Sequence, residues 1–130
     1  PWINGDSLAM ELNKSELEGV SFQSETFTPV DIPGKANNPK YEDQKCSGIR
    51  LIIDDRNNYR PVSTAVKILF KIHKTYPDKF KFRKHSINLL SGSNELVETF
   101  NTKQNIGSLI SNWETESKAF KRFSRKYYLY

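Results

Sequence analysis

Two adjacent carboxylates, Asp54 and Asp55, are the residues in this sequence whose type is best suited to acid–base chemistry. They follow the apolar run GIRLII within YEDQKCSGIRLIIDDRNNYRPV, residues 41–62. Two carboxylates can cleave a glycosidic bond when they flank it about 5 to 9 Å apart. Neighbouring side chains on a strand, however, point to opposite faces of the sheet. We therefore predict a turn at a strand end, from which either aspartate alone can line a cleft, and no catalytic pair.

The same segment contains Cys46, the only cysteine of the chain. Cys46 cannot form an internal disulfide, and with only His73 and His85 beside it there is no ligand set for a zinc or iron–sulfur site. Its sequence neighbours do not resemble those of a nucleophilic cysteine, so a small buried thiol is the better interpretation. We predict no catalytic residue, no metal and no cofactor for this chain.

Positive charge is concentrated in the second half of the chain. Residues 1–61 contain 7 lysines and arginines against 10 acidic residues, whereas residues 62–130 contain 13 against 5. This asymmetry is compatible with an independent basic module that binds an anionic polymer, either a nucleic acid or a cell-wall polymer. It is also compatible with solvated basic faces on two helices, and both interpretations stay open.

Two segments interleave cations with aromatic residues, KFKFRK at residues 79–84 and KAFKRFSRKYY at residues 118–128. Such a pattern is typical of surfaces that stack on nucleic-acid bases. Helical spacing in the second segment, however, directs Phe120 and Phe123 toward the core beside Trp113. No glycine-rich phosphate loop, zinc finger or RNP motif accompanies these segments. Nucleic acid is therefore not favoured as a partner.

The first half of the chain predicts one helix and the strands of a sheet. Asp6 or Ser7 can cap a short helix that continues to about Lys14. One extended strand or two short ones follow over residues 20–30, and then a long polar loop over residues 31–45. The run GIRLII is the most apolar in the chain and predicts a buried central strand.

The second half predicts mainly helices. Pro61 suits the first turn of a helix over residues 62–76, which ends before Pro77. Residues 79–84 predict an edge strand or an extended arm. Ser93 can cap a further helix, and a last helix begins near Ser108 with its cations near the C-terminal end. The final KYYLY predicts an apolar tail that docks on the core.

These elements predict an α+β fold for residues 1–130, a single compact domain with a small mixed sheet packed by three to four helices. The helix over residues 62–76 and the aromatic residues of the last helix are expected to form the core. No apolar run is long enough to span a bilayer, and the first residues lack a methionine and a signal-peptide pattern. We therefore expect the chain to be cut from a longer polypeptide.

Six motifs in order along nearly the whole chain resemble the C-terminal domain of the NamZ family, bacterial exo-β-N-acetylmuramidases of peptidoglycan. Each motif is short, and the specificity lies in their order, their spacing and the terminal YLY. The motifs are PWINGDSLAMELN (1–13), GVSFQSETFTP (19–29), KYEDQKCSGIRLIIDD (40–55), YRPVSTAVKILFKIHKTYPDKF (59–80), LLSGSNEL (89–96) and YYLY (127–130).

The resemblance implies that this chain is the accessory half of a glycoside hydrolase. In that family an N-terminal Rossmann-like domain carries the catalytic carboxylate, and the C-terminal domain completes the sugar cleft. The expected substrate is terminal N-acetylmuramic acid at the non-reducing end of peptidoglycan glycan chains, without a cofactor. The expected location is outside the bacterial cytoplasm, secreted or periplasmic, and the isolated chain is expected to be inactive.

The resemblance also suggests which side chains contact the sugar. Trp2, Phe22 and Tyr41 can pack on a sugar face, and Asp54 can line the cleft. In the second motif the family commonly has an arginine where Gln23 stands here. N-acetylmuramic acid carries a lactyl carboxylate, which such an arginine could bind. In this chain the carboxylate would meet another cation instead, for example Arg50, Arg56 or Arg60.

We expect removal of the partner domain to leave an apolar patch exposed at Phe22, at Phe27 or in the loop over residues 31–45.

Overall fold

The computed structural model describes residues 1–102 and 105–128. This part of the chain contains a two-stranded sheet, five α-helices and a 3-10 turn, so the predicted α+β class is confirmed. The elements are α1 (Gly5–Asn13), β1 (Val20–Phe27), β2 (Cys46–Ile53), α2 (Pro61–Thr75), α3 (Lys84–Ser91), α4 (Glu95–Asn101), α5 (Ile106–Ser124) and the 3-10 turn Arg125–Tyr127. They form two compact units, Pro1–Lys79 and Phe80–Tyr130.

The strands β1 and β2 pair antiparallel, with Val20 opposite Ile53 and Phe27 opposite Cys46. Side chains alternate between the two faces of such a ribbon. One face carries Val20 and Phe22, which are buried, and this is the face that α1 covers. The other face carries the polar Gln23 and Arg50 at its centre, both exposed, and the apolar Ile52, Phe27 and Cys46 toward its ends.

The hydrophobic core of the first unit lies between α1 and the sheet. Leu8 and Leu12 are one helical turn apart on the buried side of α1, where they pack on Phe22, which is only 3% exposed. Several half-buried residues complete this core. They are Ile3, Leu17, Ile49, Leu51, Tyr59, Ile68 and Ile72.

The first helix begins earlier than predicted. Asn4 is its N-cap, with extended backbone angles and a side-chain oxygen that accepts a hydrogen bond from the Ser7 amide at 2.9 Å. Asp6 and Ser7, the predicted caps, lie inside the first turn instead. Asparagine is as favourable an N-cap as serine or aspartate. Asn4 was not predicted as the N-cap because Gly5 follows it.

The helix α2 has almost the predicted bounds. Pro61 occupies its first turn and the last helical residue is Thr75, two residues before Pro77. Glu11 of α1 accepts a hydrogen bond from the Lys71 ammonium, which joins the two helices by an ion pair. Val62, which the helical pattern assigned to the core, is exposed because it lies in the first turn, ahead of the part that packs on α1.

The prediction that GIRLII forms a buried central strand is wrong. In the described part of the chain β2 has one neighbour, β1, and only one of its faces is covered by a helix. Ile49, Leu51 and Ile52 are therefore half-buried and Ile53 is exposed. An apolar run alone does not distinguish a strand buried on both faces from one buried on a single face.

The second unit contains α3, α4 and α5. Phe82 makes edge-to-face contacts with Phe80 and Phe100, with ring centroids 4.9 Å apart in both pairs. The buried hydrophobic residues of this unit lie on α4 and α5, and they are Leu96, Val97, Phe100, Leu109 and Ile110.

Three predictions for the second unit are corrected. KFKFRK forms no edge strand, although residues 80–83, which are in neither helix nor strand, are compatible with the predicted alternative of an extended arm; α3, which was not predicted, begins at Lys84. Asn94 rather than Ser93 precedes α4, although the Ser93 hydroxyl still accepts a hydrogen bond from the Glu95 amide at 3.4 Å. The last helix begins at Ile106, two residues before the predicted Ser108, because Asn105 caps it.

The aromatic residues at the end of α5 do not join the core. Phe120 and Phe123 are 68% and 56% exposed, and Tyr127 and Tyr128 are also exposed rather than docked. The helical spacing of these residues was recognised correctly, but α5 continues beyond the part that packs on α4. Leu129 and Tyr130, the rest of the predicted tail, lie outside the described residues.

Candidate functional site

Three aromatic side chains and one lysine meet at the start of α1, and we call them the aromatic cluster: Trp2, Lys40, Tyr41 and Tyr76. The Trp2 indole nitrogen donates a hydrogen bond to the Tyr41 hydroxyl at 3.2 Å. The rings of Trp2 and Tyr76 meet edge to face with centroids 5.4 Å apart. The Lys40 ammonium lies 4.8 Å from the centre of the Tyr41 ring.

Three distant segments of the chain position this cluster. Tyr76 follows the last residue of α2, and its hydroxyl accepts a hydrogen bond from the Asn4 amide at 2.9 Å. Tyr41 lies in the long loop between the strands with a positive φ of 65°, a conformation that non-glycine residues seldom adopt. Because Asn4 also caps α1, the cluster is tied to the start of this helix.

The cluster combines flat apolar rings with polar groups of defined character. The indole N–H of Trp2, and then Lys40, stabilise the phenolate form and so hold the pKa of Tyr41 below its ordinary value. All four side chains lie at least partly in solvent. Half-exposed aromatic rings beside a cation are suited to contact a sugar face and an adjacent carboxylate.

The outer face of the sheet carries Gln23 directly opposite Arg50. Arg50 is already engaged, because its Nε and Nη2 atoms donate to the two carboxylate oxygens of Glu25. This bidentate pair lowers the pKa of Glu25 and raises that of Arg50. Arg50 is therefore poorly placed to meet a ligand carboxylate, since binding it would require Arg50 to leave Glu25.

The aspartates after β2 form a turn, as predicted. The Asp55 carboxylate accepts hydrogen bonds from the Asn57 amide at 2.9 Å and from the Asn58 side chain at 2.8 Å. These bonds lower the pKa of Asp55, so it remains an anion that holds the turn. Asp54 is exposed beside it.

The two arginines after this turn differ in how they are engaged. Arg60 donates to the Asn57 carbonyl at 2.9 Å. Within the part of the chain that the structure describes, Arg56 makes no hydrogen bond or ion pair, so its guanidinium is available to an anion.

The six candidate residues do not form one site. Trp2 and Tyr41 are in contact, and Tyr41 precedes β2, whereas Asp54 and Arg56 follow the other end of this strand, which is roughly 23 Å long. Gln23 is exposed in the middle of the outer sheet face, and Phe22 points the other way, into the core. The expectation that Phe22 contributes to an exposed patch is therefore wrong, while Phe27, and Ile32 in the loop over residues 31–45, are exposed as expected.

Sequence reasoning missed two members of the cluster, Lys40 and Tyr76. Tyr76 is the last residue of the predicted helix over residues 62–76, and its position directly before Pro77 indicates a helix end, where an aromatic ring is free to turn toward a neighbouring segment. Lys40 adjoins Tyr41, but no spacing rule connects it to Trp2.

The second unit contains an open groove of about 550 Å³ between α4 and α5. Two carboxylates line it, Glu95 and Glu98, one turn apart on α4, so they form one wall rather than facing each other. Glu95 accepts a hydrogen bond from the Trp113 indole at 2.9 Å, and Glu98 accepts one from Asn94. The lining residues on α5 and before it carry no carboxylate, and they are Asn105, Ser108, Leu109 and Asn112.

The buried thiol is confirmed. Cys46 is 5% exposed, and its sulfur donates to the Gln44 carbonyl at 3.5 Å. The described residues contain no group of three or more His, Cys, Asp or Glu side chains arranged to hold a metal ion. None of the helices in residues 1–102 and 105–128 is both long and apolar enough to cross a membrane.

Comparisons with known proteins show the family of this chain. Residues 1–130 match the family described as "Exo-beta-N-acetylmuramidase NamZ, C-terminal". The chain is 27% identical over 131 residues to the peptidoglycan beta-N-acetylmuramidase NamZ of Bacillus subtilis strain 168. The alignment covers all of this chain but only 30% of that protein.

A crystal structure of a DUF1343 family protein from Bacteroides fragilis is similar, with a TM-score of 0.83 and 27% identity over 99% of this chain and 33% of that one. The chain thus spans about a third of the length of both relatives. Because the family match extends over the whole sequence, this chain belongs to the C-terminal domain family of the exo-β-N-acetylmuramidase NamZ.

Proposed function

We propose that this chain is the accessory substrate-cleft domain of an exo-acting β-N-acetylmuramidase, which removes terminal N-acetylmuramic acid from the non-reducing end of peptidoglycan glycan chains. The catalytic carboxylate is supplied by a domain that precedes this one in the same polypeptide. The observation that carries the proposal is the family match over residues 1–130, combined with relatives that are about three times as long as the matched region.

The aromatic cluster is the part of the first unit that we assign to the cleft. Trp2 and Tyr76 offer ring surface to the apolar face of a sugar, and the Lys40 ammonium is placed to bind the lactyl carboxylate that distinguishes muramic acid from glucosamine. Lys40 therefore takes the role of the family arginine that Gln23 replaces. Arg56 is too far along β2 to share a monosaccharide with this cluster.

The chain alone is not expected to hydrolyse a glycoside. Glycosidases place two carboxyl groups on opposite sides of the scissile bond, about 5 to 9 Å apart. Asp55 is committed to its turn, and Glu95 and Glu98 share one helix face. Neither Asp55 nor the pair Glu95 and Glu98 therefore provides two carboxyl groups on opposite sides of a bond.

The proposed substrate lies outside the cytoplasmic membrane, so the polypeptide is expected to act as a secreted or periplasmic protein. The Bacillus subtilis relative is named for action on peptidoglycan, which supports this assignment.

The test is hydrolysis of a chromogenic N-acetylmuramic acid glycoside by the polypeptide that includes the preceding domain. We expect Lys40→Met to raise KM for this substrate about tenfold, which corresponds to ~1.4 kcal/mol of lost binding free energy. The same variant should leave KM unchanged for the N-acetylglucosamine analogue, which lacks the carboxylate.

Lys45→Met is the matched control, because Lys45 is an exposed lysine in the same loop outside the cluster. Equal effects of the two substitutions on KM would refute the role of Lys40. Release of sugar by the 130-residue chain alone would refute the accessory role itself.

A further inference from the structure

The apolar side of α5 continues beyond the part of the helix that is packed. Leu109 and Ile110 are buried against the second unit's core, and Trp113 is half-buried on the same side. Steps of three, four and seven residues place Phe120, Phe123 and Tyr127 on this side too. We call these last three residues the distal stripe. It extends for about 10 Å along the helix.

All three large side chains of the distal stripe are more than half exposed. Phe120 is 68%, Phe123 56% and Tyr127 62% exposed. Contiguous apolar surface of this kind on a soluble domain marks an interaction site more often than it occurs without a partner.

Two of the three side chains of the distal stripe contact each other. The rings of Phe123 and Tyr127 meet at 5.6 Å between centroids, and the Lys126 ammonium lies 4.6 Å and 5.0 Å from the centres of these two rings. The Ser124 and Tyr128 hydroxyls are hydrogen-bonded at 3.0 Å next to them. A preorganised surface loses less conformational entropy when a partner covers it.

The cations of this region lie mostly on the opposite side of the helix. Lys118 and Arg122 are each two residues from Phe120 and therefore about 160° away from it around the axis. Near the C-terminus of α5 these cations also interact favourably with the helix dipole. The helix dipole accounts for the position of these cations. Nothing in the described part of the chain accounts for the exposure of the distal stripe.

A lipid surface fits the distal stripe poorly. A helix that lies in a membrane interface needs its apolar side free along its whole length. The first half of that side is packed on α4, and only the last two turns are free.

We propose that the distal stripe is the docking surface for the catalytic domain that precedes this chain in its polypeptide. The inference rests on the proposed function for the existence of that domain. The two relatives support it, because about two thirds of each lies outside the matched region. A domain in that part of the polypeptide can cover the distal stripe. The cationic side of α5 stays in solvent in the assembled protein.

The test is hydrogen exchange of residues 116–128 in the two-domain polypeptide and in the 130-residue chain. Amides of this segment should exchange at least tenfold more slowly in the two-domain protein. A Phe120→Ser/Phe123→Ser double variant should abolish the difference, while the stability of the 130-residue chain stays unchanged because both rings are already exposed there. Lys118→Gln/Arg122→Gln, on the opposite side of the helix, is the matched control and should leave the protection intact.

Equal exchange in the two proteins would overturn the proposal. Protection of the segment in the 130-residue chain by anionic lipid vesicles, by single-stranded nucleic acid or by self-association would also overturn it. The docking surface and the proposed function can fail independently. A two-domain protein that is inactive but protects the distal stripe would refute only the muramidase activity. A two-domain protein that is active but leaves the distal stripe unprotected would refute only the docking surface.

Discussion

At the scale of single residues, Gly5 sets how closely α1 approaches the sheet. A methyl group at this position would lie 2.3 Å from the Gly48 carbonyl oxygen and 2.7 Å from the Ser47 hydroxyl, which accepts a hydrogen bond from the Gly5 amide at 3.0 Å. The helix would have to move away from β2, and the core residues of α1 would move with it.

We predict that Gly5→Ala lowers the free energy of unfolding by about 1 to 3 kcal/mol, as overpacking of a core does, although alanine is the better helix former by about 1 kcal/mol. Urea unfolding of the chain measures this. Gly48→Ala is the control, because a methyl group there meets only the Phe27 ring at an ordinary 3.6 Å. A Gly5→Ala protein as stable as the parent would show that the helix can shift freely.

The ion pair between Glu11 and Lys71 predicts a specific dependence of stability on pH. The hydrogen bond and charge of Lys71 hold the pKa of Glu11 below its ordinary 4.5. A carboxylate with a lowered pKa in the folded state stabilises the fold above its unfolded pKa, and this contribution is lost as the pH falls through the lowered value. Glu11→Gln should therefore be less stable than the parent near neutral pH and equally stable in acid, as urea unfolding across the pH range can measure.

The control for this prediction is the Lys71→Met background. There the carboxylate has lost the partner that lowers its pKa, so Glu11→Gln should have a much smaller effect at neutral pH. A stability difference between Glu11→Gln and the parent that widens on acidification would contradict the assigned role of the pair.

Individual residues were predictable where local chemistry decides their role. The Asp55 turn follows from the neighbouring asparagines, and the burial of Cys46 follows from its place at the start of an apolar strand. The contact between Trp2 and Tyr41 was not predictable, because 39 residues separate them and only the folded loop brings them together.

At the scale of elements, Asn13 closes the free edge of β1. Its side chain donates to the Phe22 carbonyl at 2.8 Å and accepts from the Phe22 amide at 2.9 Å, which is the pattern a further strand would provide. The last residue of α1 is thereby fixed to the strand that α1 covers. A backbone N–H or C=O group left without a partner costs about 1 to 3 kcal/mol when it is buried.

We expect Asn13→Ala to destabilise the chain by about 1 to 3 kcal/mol in urea unfolding, since both groups lose a partner in a site that is only partly buried. Asn13→Asp keeps the acceptor and loses the donor, so its effect should be smaller. A destabilisation by Asn13→Asp as large as that by Asn13→Ala would show that the carboxylate does not retain the bond from the Phe22 amide.

Elements with strong periodic signals were predicted well, and those that depend on neighbours were not. The helix α2 combines a proline start, a periodic apolar face and a proline stop, and its bounds were correct within two residues. The sheet has only two strands, so an apolar run that suggested a central strand is half-exposed. For α5 the helical spacing of the apolar residues was predicted correctly. This spacing alone does not show how far along the helix its packing partner extends.

At the scale of the whole molecule, the chain distributes its buried apolar surface unequally between its two compact units. The first unit buries side chains from α1, both strands and α2 around Leu12, the most deeply buried large residue. The second is shorter, and its described residues include five buried hydrophobic ones, while Leu89 and Leu90 of α3 remain exposed. Composition and periodicity predicted the α+β class but not this division, since which elements share a core is decided by long-range contacts.

The unequal cores predict that α3, α4 and α5 open more readily than the elements of the first unit. Small units bury a smaller fraction of their surface, and local opening free energies follow the amount of buried apolar surface. Native-state hydrogen exchange should give opening free energies for α4 and α5 at least ~2 kcal/mol below those of α1 and β1. Leu96→Ala should lower only the opening free energies of α4 and α5. Leu12→Ala should destabilise the first unit by about 2 to 5 kcal/mol. If every protected amide exchanged with the same free energy and responded equally to both substitutions, the chain would unfold as one cooperative unit and the prediction would be wrong.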